Sequence, residues 1–361
     1  MSTAHRTPVL VTGAAGYIGR HLVYRLAKRG HPVTAVDNLS SPNSTDAPAA
    51  FAAAGIDFRA CDVADAAAFA PLVRSHPVVA HLASIVGVQE AVERPRAMLD
   101  QLRAVATIAD ALTADHVLLL ASSSDIYGLH SVLHDNAPIR EDDLTVLEPP
   151  QVTRWSYAHM KALAESVFAG CAARAVGVRI FNCYGPGLDF PHPRRVIPSF
   201  ATRIVQGQPL VISGDGSQRR SYCHVDDVVT GFVAAMDYIA TREPGAYEAI
   251  NIGNPDTSMS IIDLAKLMVR VAVEHGLSQR SVEILTDHKL YSAAFNDRWH
   301  RAVDIRKARE LLGYQPTVPL EEGLAQVLTF VAARADQLPS PRVPSPRDSH
   351  RTASPAVSGA G

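Results

Sequence analysis

A P-V-L-V-T run at Pro8–Thr12 passes directly into G-A-A-G-Y-I-G at Gly13–Gly19 and then into R-H-L-V-Y-R-L-A-K-R-G at Arg20–Gly30. The apolar run has the length and composition of a buried strand, and the segment after the glycines has helical texture. Glycines at 13, 16 and 19 allow a tight turn, a close approach of backbone to a pyrophosphate and tight helix–strand packing. The helix start then offers oriented N–H groups to phosphate oxygens. A second strand, P-V-T-A-V at Pro32–Val36, ends in Asp37, about 20 residues beyond the turn, where an acid binds ribose hydroxyls. Asp37 would repel a 2′-phosphate, so the dinucleotide expected is NAD and not NADP.

Working outward, further strands are expected at Asp57–Ala60, Val78–His81, His116–Ala121 and Gly177–Phe181, alternating with helical stretches. That alternation predicts an α/β fold, a Rossmann-type doubly wound parallel sheet. From Gly185 the texture changes to Gly-, Pro- and Arg-rich loops, which points to a smaller mixed α/β lobe over the mouth of the sheet. The expected organisation is a cofactor domain over 1–181, rejoined by 222–250, and a substrate lobe from 182–221 and 251–335. An amphipathic helix is expected within Val225–Ala240 and a final helix over Leu320–Arg334. Asp336–Gly361, rich in Pro, Ser and Ala, is expected to be a disordered tail.

Composition sets bounds on function. The chain has 361 residues, 47% hydrophobic and 19% charged, an ordinary globular balance. A net charge of −2 argues against a nucleic-acid or membrane surface, so anion binding must come from local arginines. Four cysteines, at 61, 171, 183 and 223, form no C-x-x-C pair and read as reduced thiols of a cytoplasmic protein, with no metal site. No signal peptide and no apolar run of membrane-spanning length is visible. His81, His159, His192 and His224 lack ligand spacing and read as structural.

The chemistry is carried by R-W-S-Y-A-H-M-K at Arg154–Lys161. Tyr157 and Lys161 stand four apart in helical sequence and so share one face. A lysine beside a tyrosine stabilises the phenolate and draws its pKa, ordinarily about 10, toward neutrality, which makes Tyr157 a candidate general base.

Together with H-L-A-S at His81–Ser84, S-S-S-D-I-Y-G at Ser122–Gly128, R-I-F-N-C-Y-G-P at Arg179–Pro186, G-D-G-S-Q-R-R-S-Y-C-H-V-D-D at Gly214–Asp227 and I-N-I-G-N-P at Ile250–Pro255, these motifs resemble the extended short-chain dehydrogenase/reductases. Within them the chain is similar to the NAD-dependent nucleotide-sugar epimerases, decarboxylases and dehydratases, from about Val9 to Phe330. The closest motifs are those of UDP-glucuronate decarboxylase and UDP-apiose/xylose synthase types. The resemblance implies that Tyr157 takes the proton of the sugar 4-hydroxyl, that Lys161 holds the nicotinamide ribose, and that Ser123 hydrogen-bonds the 4-oxygen. It places Gly13, Ala15, Gly16, Tyr17, Ile18, Gly19, Asp37, Asn38, Asp62, Val63, Leu82, Ala83, Ser84 and Ser122 around NAD, with Tyr157 and Lys161.

Asp125 stands where decarboxylases and dehydratases of this group carry Glu, and Ser124 precedes it as serine does in decarboxylases. The competing readings are a loop carboxylate for Asp125 and a backbone-tied strand-end serine for Ser123. For the nucleotide sugar the resemblance implies Asn182, Arg195, Val196, Val211, Arg220 and Arg301, the guanidinium forks suiting pyrophosphate or carboxylate. The family's N-x-x-G-T segment is absent, M-L-D-Q-L-R-A-V-A-T standing at Met98–Thr107, which removes an asparagine expected to organise the active-site helix. The activity implied is oxidation at carbon 4 of a UDP-sugar, with decarboxylation of UDP-glucuronate favoured by Ser124, Asp125 and Arg301. A 4-epimerase is the alternative, then a 4,6- or 5,6-dehydratase. A catalytically silent NAD-binding protein is the reading from another class, and the intact Tyr–Lys pair counts against it. A homodimer through the helix bearing Tyr157 and the one preceding Ser123 is also implied.

Overall fold

The computed structural model describes residues 7–41, 44–85, 92–94, 96–278, 282–287 and 300–340. Seven strands form one sheet: β1 (Val9–Thr12), β2 (Val33–Asp37), β3 (Asp57–Ala60), β4 (Val78–His81), β5 (Val117–Ser123), β6 (Arg174–Ile180) and β7 (Tyr247–Ile252). Their spatial order is β7-β6-β5-β4-β1-β2-β3, with every pairing parallel. This is the doubly wound arrangement expected.

Period-two alternation explains why both faces are covered. Val9 and Val11 of β1, with Val117 and Leu119 of β5, enter one apolar layer. Leu10 of β1, with Leu118 and Leu120 of β5, enter the opposite one. The first layer is closed by the helices Tyr17–Lys28 and Val225–Ile239, which bury Leu22, Val23, Val228 and Phe232 against it. The second is closed by the helices Ala66–Ser75, Ala97–Ala111 and Ser156–Ala169 through Phe69, Ile108 and Phe168. At the edge, β3 is largely exposed and presents no buried apolar face.

The sequence reading did not include β7. Its Ile250 and Ile252 are fully buried, and it lies parallel to β6 from Tyr247↔Ala175 to Ile252↔Ile180. A separate apolar cluster joins the helices Val196–Val205, Ile261–Glu274 and Leu320–Ala332 with the strand Leu210–Ser213. The middle helix buries Ile261, Leu264, Ala265, Met268, Val271 and Ala272, the 3–4 spacing of an amphipathic stripe.

The tail expected from Asp336 starts too early. A 3-10 turn covers Ala335–Gln337, Leu338 packs against the second cluster, and Gln206 donates to the Pro339 carbonyl at 2.9 Å. The remainder of that expectation, 341–361, lies outside the described residues. No described helix is long and apolar enough to cross a membrane.

Candidate active site

Strand order reverses between β1 and β4, and ligands of open α/β sheets sit outside the carboxyl ends of strands at such a point. The C-terminal residues of these strands, Thr12 and His81, are register partners, and the Thr12 hydroxyl meets His81 Nδ1 at 2.8 Å. Burial, and then the charge of Lys161, hold His81 down to about 3, so the ring is neutral and structural, as expected. Thr12 Oγ1 also accepts from the Ala83 amide at 3.2 Å, fixing the Leu82–Ser84 segment beside the glycine turn.

Gly13 has φ +65°, and a Cβ there would lie 2.6 Å from the Ala83 nitrogen. At Gly19 a Cβ would lie 2.0 Å from the Gly13 carbonyl oxygen. Side chains at either place would push the turn away from β4 or from the helix. Gly16 is the N-cap of the helix Tyr17–Lys28 and contributes no capping side chain, so the first-turn amides face outward. Asp37 Oδ2 accepts from the Ala15 amide at 3.0 Å and Oδ1 from the Leu39 amide at 2.8 Å. Each carboxylate oxygen keeps a further lone pair for a ribose hydroxyl. Beyond it, Asn38 Nδ2 donates to Asp62 at 3.1 Å and Val63 packs against the second layer. Ile18 packs against the first layer, whereas the Tyr17 ring touches both apolar clusters. This cradle, with an acid at the end of β2, fits NAD.

Tyr157 and Lys161 are 6% and 3% exposed on the inner face of their helix. The Lys161 ammonium donates to the Ala121 carbonyl at 2.7 Å and lies 5.7 Å from the centre of the Tyr157 ring. Burial pushes the Lys161 amine down to about 8, with Glu165 opposing. The tyrosine departs from expectation. Burial, and then Asp125, raise the phenol above its ordinary value, while Ser123, Arg195 and Ser84 pull it back. Lys161 is engaged by the β5 carbonyl, and desolvation of the phenolate outweighs its help.

The lysine value has a consequence for stability. Its folded pKa of about 8 lies below the ordinary 10.5, so between these values the unfolded chain holds the extra proton and stability rises with pH. Below about 8 the fold carries the cost of the buried charge. Relative to Lys161→Met, wild type should therefore melt lowest below about pH 8 and gain on the variant as pH climbs through that window. Parallel melting curves across it would contradict the assignment.

Ser123 ends β5, and its hydroxyl accepts from the Asp125 amide at 3.1 Å, capping the 3-10 turn Ser124–Tyr127. It is thus tied to backbone, as the competing reading had it, and it also reaches the phenol. Ser124 is buried in the turn. Asp125 is 24% exposed at its side chain and forms an ion pair with Arg301, itself 7% exposed. The hydroxyl of Ser122 donates to Glu165.

Glu165 belongs to a buried network that sequence reading missed. Its carboxylate receives Arg179 Nη2 at 2.8 Å, and Arg179 Nη1 donates to the Tyr127 hydroxyl at 2.8 Å. Tyr127 donates to Asn251 Oδ1 at 2.7 Å, joining β7 to the turn that carries Asp125. The available signal was spacing, since Tyr157, Lys161 and Glu165 recur at i, i+4 and i+8.

Of the residues expected at the nucleotide sugar, Arg220 and Arg301 are set side by side by a parallel bridge, both buried at 7% and 6%. Asn182, at φ +29°, donates its side-chain amide to the Ser221 carbonyl at 3.0 Å and so braces that strand. Arg195 caps the helix beginning at Val196 and pairs with Asp189 at 2.7 Å, close enough to Tyr157 for its charge to be felt. Val211 lies half-buried in the strand Leu210–Ser213, in register with Leu285. The structure therefore groups Asp125, Arg301 and Arg220, and leaves Val211 in a separate two-stranded sheet with Ile284–Asp287.

The profile of the NAD dependent epimerase/dehydratase family matches residues 9–253. The chain belongs to that family. It is an enzyme of that class, and its cofactor is NAD. It is 34% identical over 331 residues to UDP-N-acetyl-alpha-D-glucosaminuronate decarboxylase of Bacillus cytotoxicus, covering 89% of this chain and 96% of that protein. It is 30% identical over 355 residues to UDP-glucuronic acid decarboxylase 1 of Xenopus tropicalis, covering 96% and 77%. Among solved structures, UDP-glucuronic acid 4-epimerase of Bacillus cereus, in complex with UDP-glucuronic acid and NAD, superposes with a TM-score of 0.73 at 25% identity, covering 90% and 99%.

Proposed function

We propose that this family member oxidises a UDP-hexuronate at carbon 4 and releases its carboxyl group as carbon dioxide. The observation that carries the reading is the Asp125–Arg301 ion pair beside Ser123 and Tyr157. A carboxyl-bearing sugar needs a buried cation for its carboxylate and an acid for the carbon left behind, and this pair supplies both. Bound NAD supplies the oxidising equivalent, accepting hydride from carbon 4 and returning it, and its cationic ring favours the phenolate.

The chain's own residues do the rest. Tyr157 takes the 4-hydroxyl proton while Ser123 hydrogen-bonds that oxygen. The resulting ketone accepts the electron pair of the carbon 5–carboxylate bond as it breaks. Arg301 holds the carboxylate until it departs, a proton from solvent reaches carbon 5 by way of Asp125, Tyr157 gives its proton back to the 4-oxygen as the ketone is reduced, and Arg220 and Arg195 serve the diphosphate. Residues 1–181 and 222–250 would carry the cofactor, with 182–221 and 251–335 on the nucleotide sugar.

The test is incubation of NAD-loaded protein with UDP-glucuronate and with UDP-N-acetylglucosaminuronate, products read by mass spectrometry. Loss of carbon dioxide is the expected result, and Asp125→Asn should lower it about 10²-fold. Unchanged mass at a new retention time would replace this reading with 4-epimerisation. One observation favours that second reading: Asp125 reaches one methylene less than the glutamate of decarboxylases. Loss of water would mark a dehydratase.

A cytoplasmic homodimer completes the proposal. Leu99 and Leu163, 51% and 48% exposed on the adjacent helices Ala97–Ala111 and Ser156–Ala169, support such an interface. A monomeric mass by light scattering would refute it.

A further inference from the structure

We propose that Asn251 is a positioning residue that sets Asp125 against Arg301, by tying the turn that carries the acid to the segment that carries the guanidinium. The inference rests on the reading that this ion pair serves the decarboxylation. Asn251 lies in β7 and is fully buried. Its side-chain amide reaches three places distant in the chain. Oδ1 accepts from the Tyr127 hydroxyl at 2.7 Å, and Tyr127 closes the 3-10 turn two residues after Asp125. Arg179 Nη1 donates to the same hydroxyl, which leaves its hydrogen for Asn251. Nδ2 donates to the Asp304 carbonyl at 3.3 Å, three residues after Arg301, and to the Ile139 carbonyl at 3.0 Å. Ile139 is itself bridged to Val303, its amide donating to the Ala302 carbonyl at 2.9 Å and its carbonyl accepting from the Asp304 amide at 3.0 Å.

An amide offers two N–H donors and one carbonyl, and no other side chain of this size joins a hydroxyl donor to two carbonyls. Its partners are backbone and Tyr127, so Asn251 acts by placing the segments that carry the ion pair. On its other side the Arg301 segment is held by the Arg219 carbonyl and the Ser221 amide, at 3.1 and 3.3 Å. Those bonds fix it to the strand of Arg220 and not to the Asp125 turn. The link from turn to segment runs in series, Tyr127 to Asn251 to Asp304. A cut at either bond therefore releases the same constraint. A misplacement of about 1 Å can cost about 10²-fold in rate. The loss should fall on the steps at carbon 5, which the pair serves, and spare removal of hydride from carbon 4 by way of Tyr157.

Two substitutions cut the link at its two ends. Tyr127→Phe keeps the ring and removes the donor to Oδ1. Asn251→Asp keeps an acceptor for Tyr127 and removes both donors to the Arg301 side. NAD-loaded protein is mixed with UDP-glucuronate, and two signals are followed. Reduced-nicotinamide absorbance reports oxidation at carbon 4, and mass spectrometry reports the decarboxylated product. Each variant should build up reduced nicotinamide and form product about 10–10²-fold more slowly than wild type. The double variant should be no worse than the more damaged single one, as expected of two cuts in one chain. Should Asn251→Asp fail to fold, Tyr127→Phe decides alone. A merely structural role would slow both signals together, or add in the double variant, and either result overturns the inference. So does a wild-type ratio of the two signals. Asp125→Asn, run alongside, separates the two readings. If it builds up reduced nicotinamide, the decarboxylation reading stands whatever the Asn251 variants do. If it forms decarboxylated product as fast as wild type, both fall.

Discussion

Tyr157→Phe lowers turnover by about 10²–10⁴-fold, the range general acid–base groups contribute, and leaves NAD affinity within a few-fold of wild type. The asymmetry follows from where the hydroxyl sits. It feels the charge of Asp125 and is helped by Ser123, both of the turn after β5 and not of the glycine turn. The cradle proposed for the cofactor has backbone at Gly13–Gly19 for the phosphates and the Asp37 carboxylate for a ribose, none of which the substitution touches. Folding should survive as well. The ring packs with Met98 and Met160, phenylalanine keeps those contacts, and loss of one buried hydroxyl costs about 1 kcal/mol. Calorimetric titration with NAD, paired with product assays, checks both halves. Retained turnover would remove Tyr157 as the base.

Much of the architecture was legible because it is written in local pattern. The glycine turn, the strands at 9–12, 33–37 and 78–81 and the tyrosine–lysine helix each declare themselves within a dozen residues. What stayed hidden depends on pairs far apart in the chain. Asp125 and Arg301 are 176 residues apart, and the segment carrying Arg301 is held by bridges from Arg220 to Arg301 and from Ile139 to Val303. The resemblance likewise implied Ser122 beside the cofactor, and no local pattern showed that its hydroxyl donates to Glu165, 43 residues along the chain. β7 was missed because Y-E-A-I-N-I buries only its last three residues, and the pattern reads as loop until β6 is placed beside it. The strength of Lys161 was overstated for a related reason. Spacing shows that amine and phenol share a face, but not that a carbonyl on β5 already engages the amine.

Glu165→Ala should be the most damaging single change to stability, at about 3–5 kcal/mol, because it strands a buried charge. Glu165 and Arg179 are 7% and 11% exposed at their side chains, and the carboxylate also receives the Ser122 hydroxyl. Removing it leaves the guanidinium beside Tyr127 without its carboxylate, in a region that holds β5, β6 and β7 in place. Chemical denaturation would show the loss as a lower midpoint. Replacing both charges, Glu165→Leu with Arg179→Met, should recover most of the stability, since an apolar pair of similar volume is often neutral where half a pair is not. Catalysis should not recover with it. Glu165 is the group that supports the Lys161 charge against burial. Without that support the amine falls below about 8, the alkaline limb of turnover moves to lower pH, and a well-folded double variant would still be a poor enzyme. A double variant that regained stability and the wild-type pH profile together would show that Glu165 only holds the sheet and does nothing for Lys161.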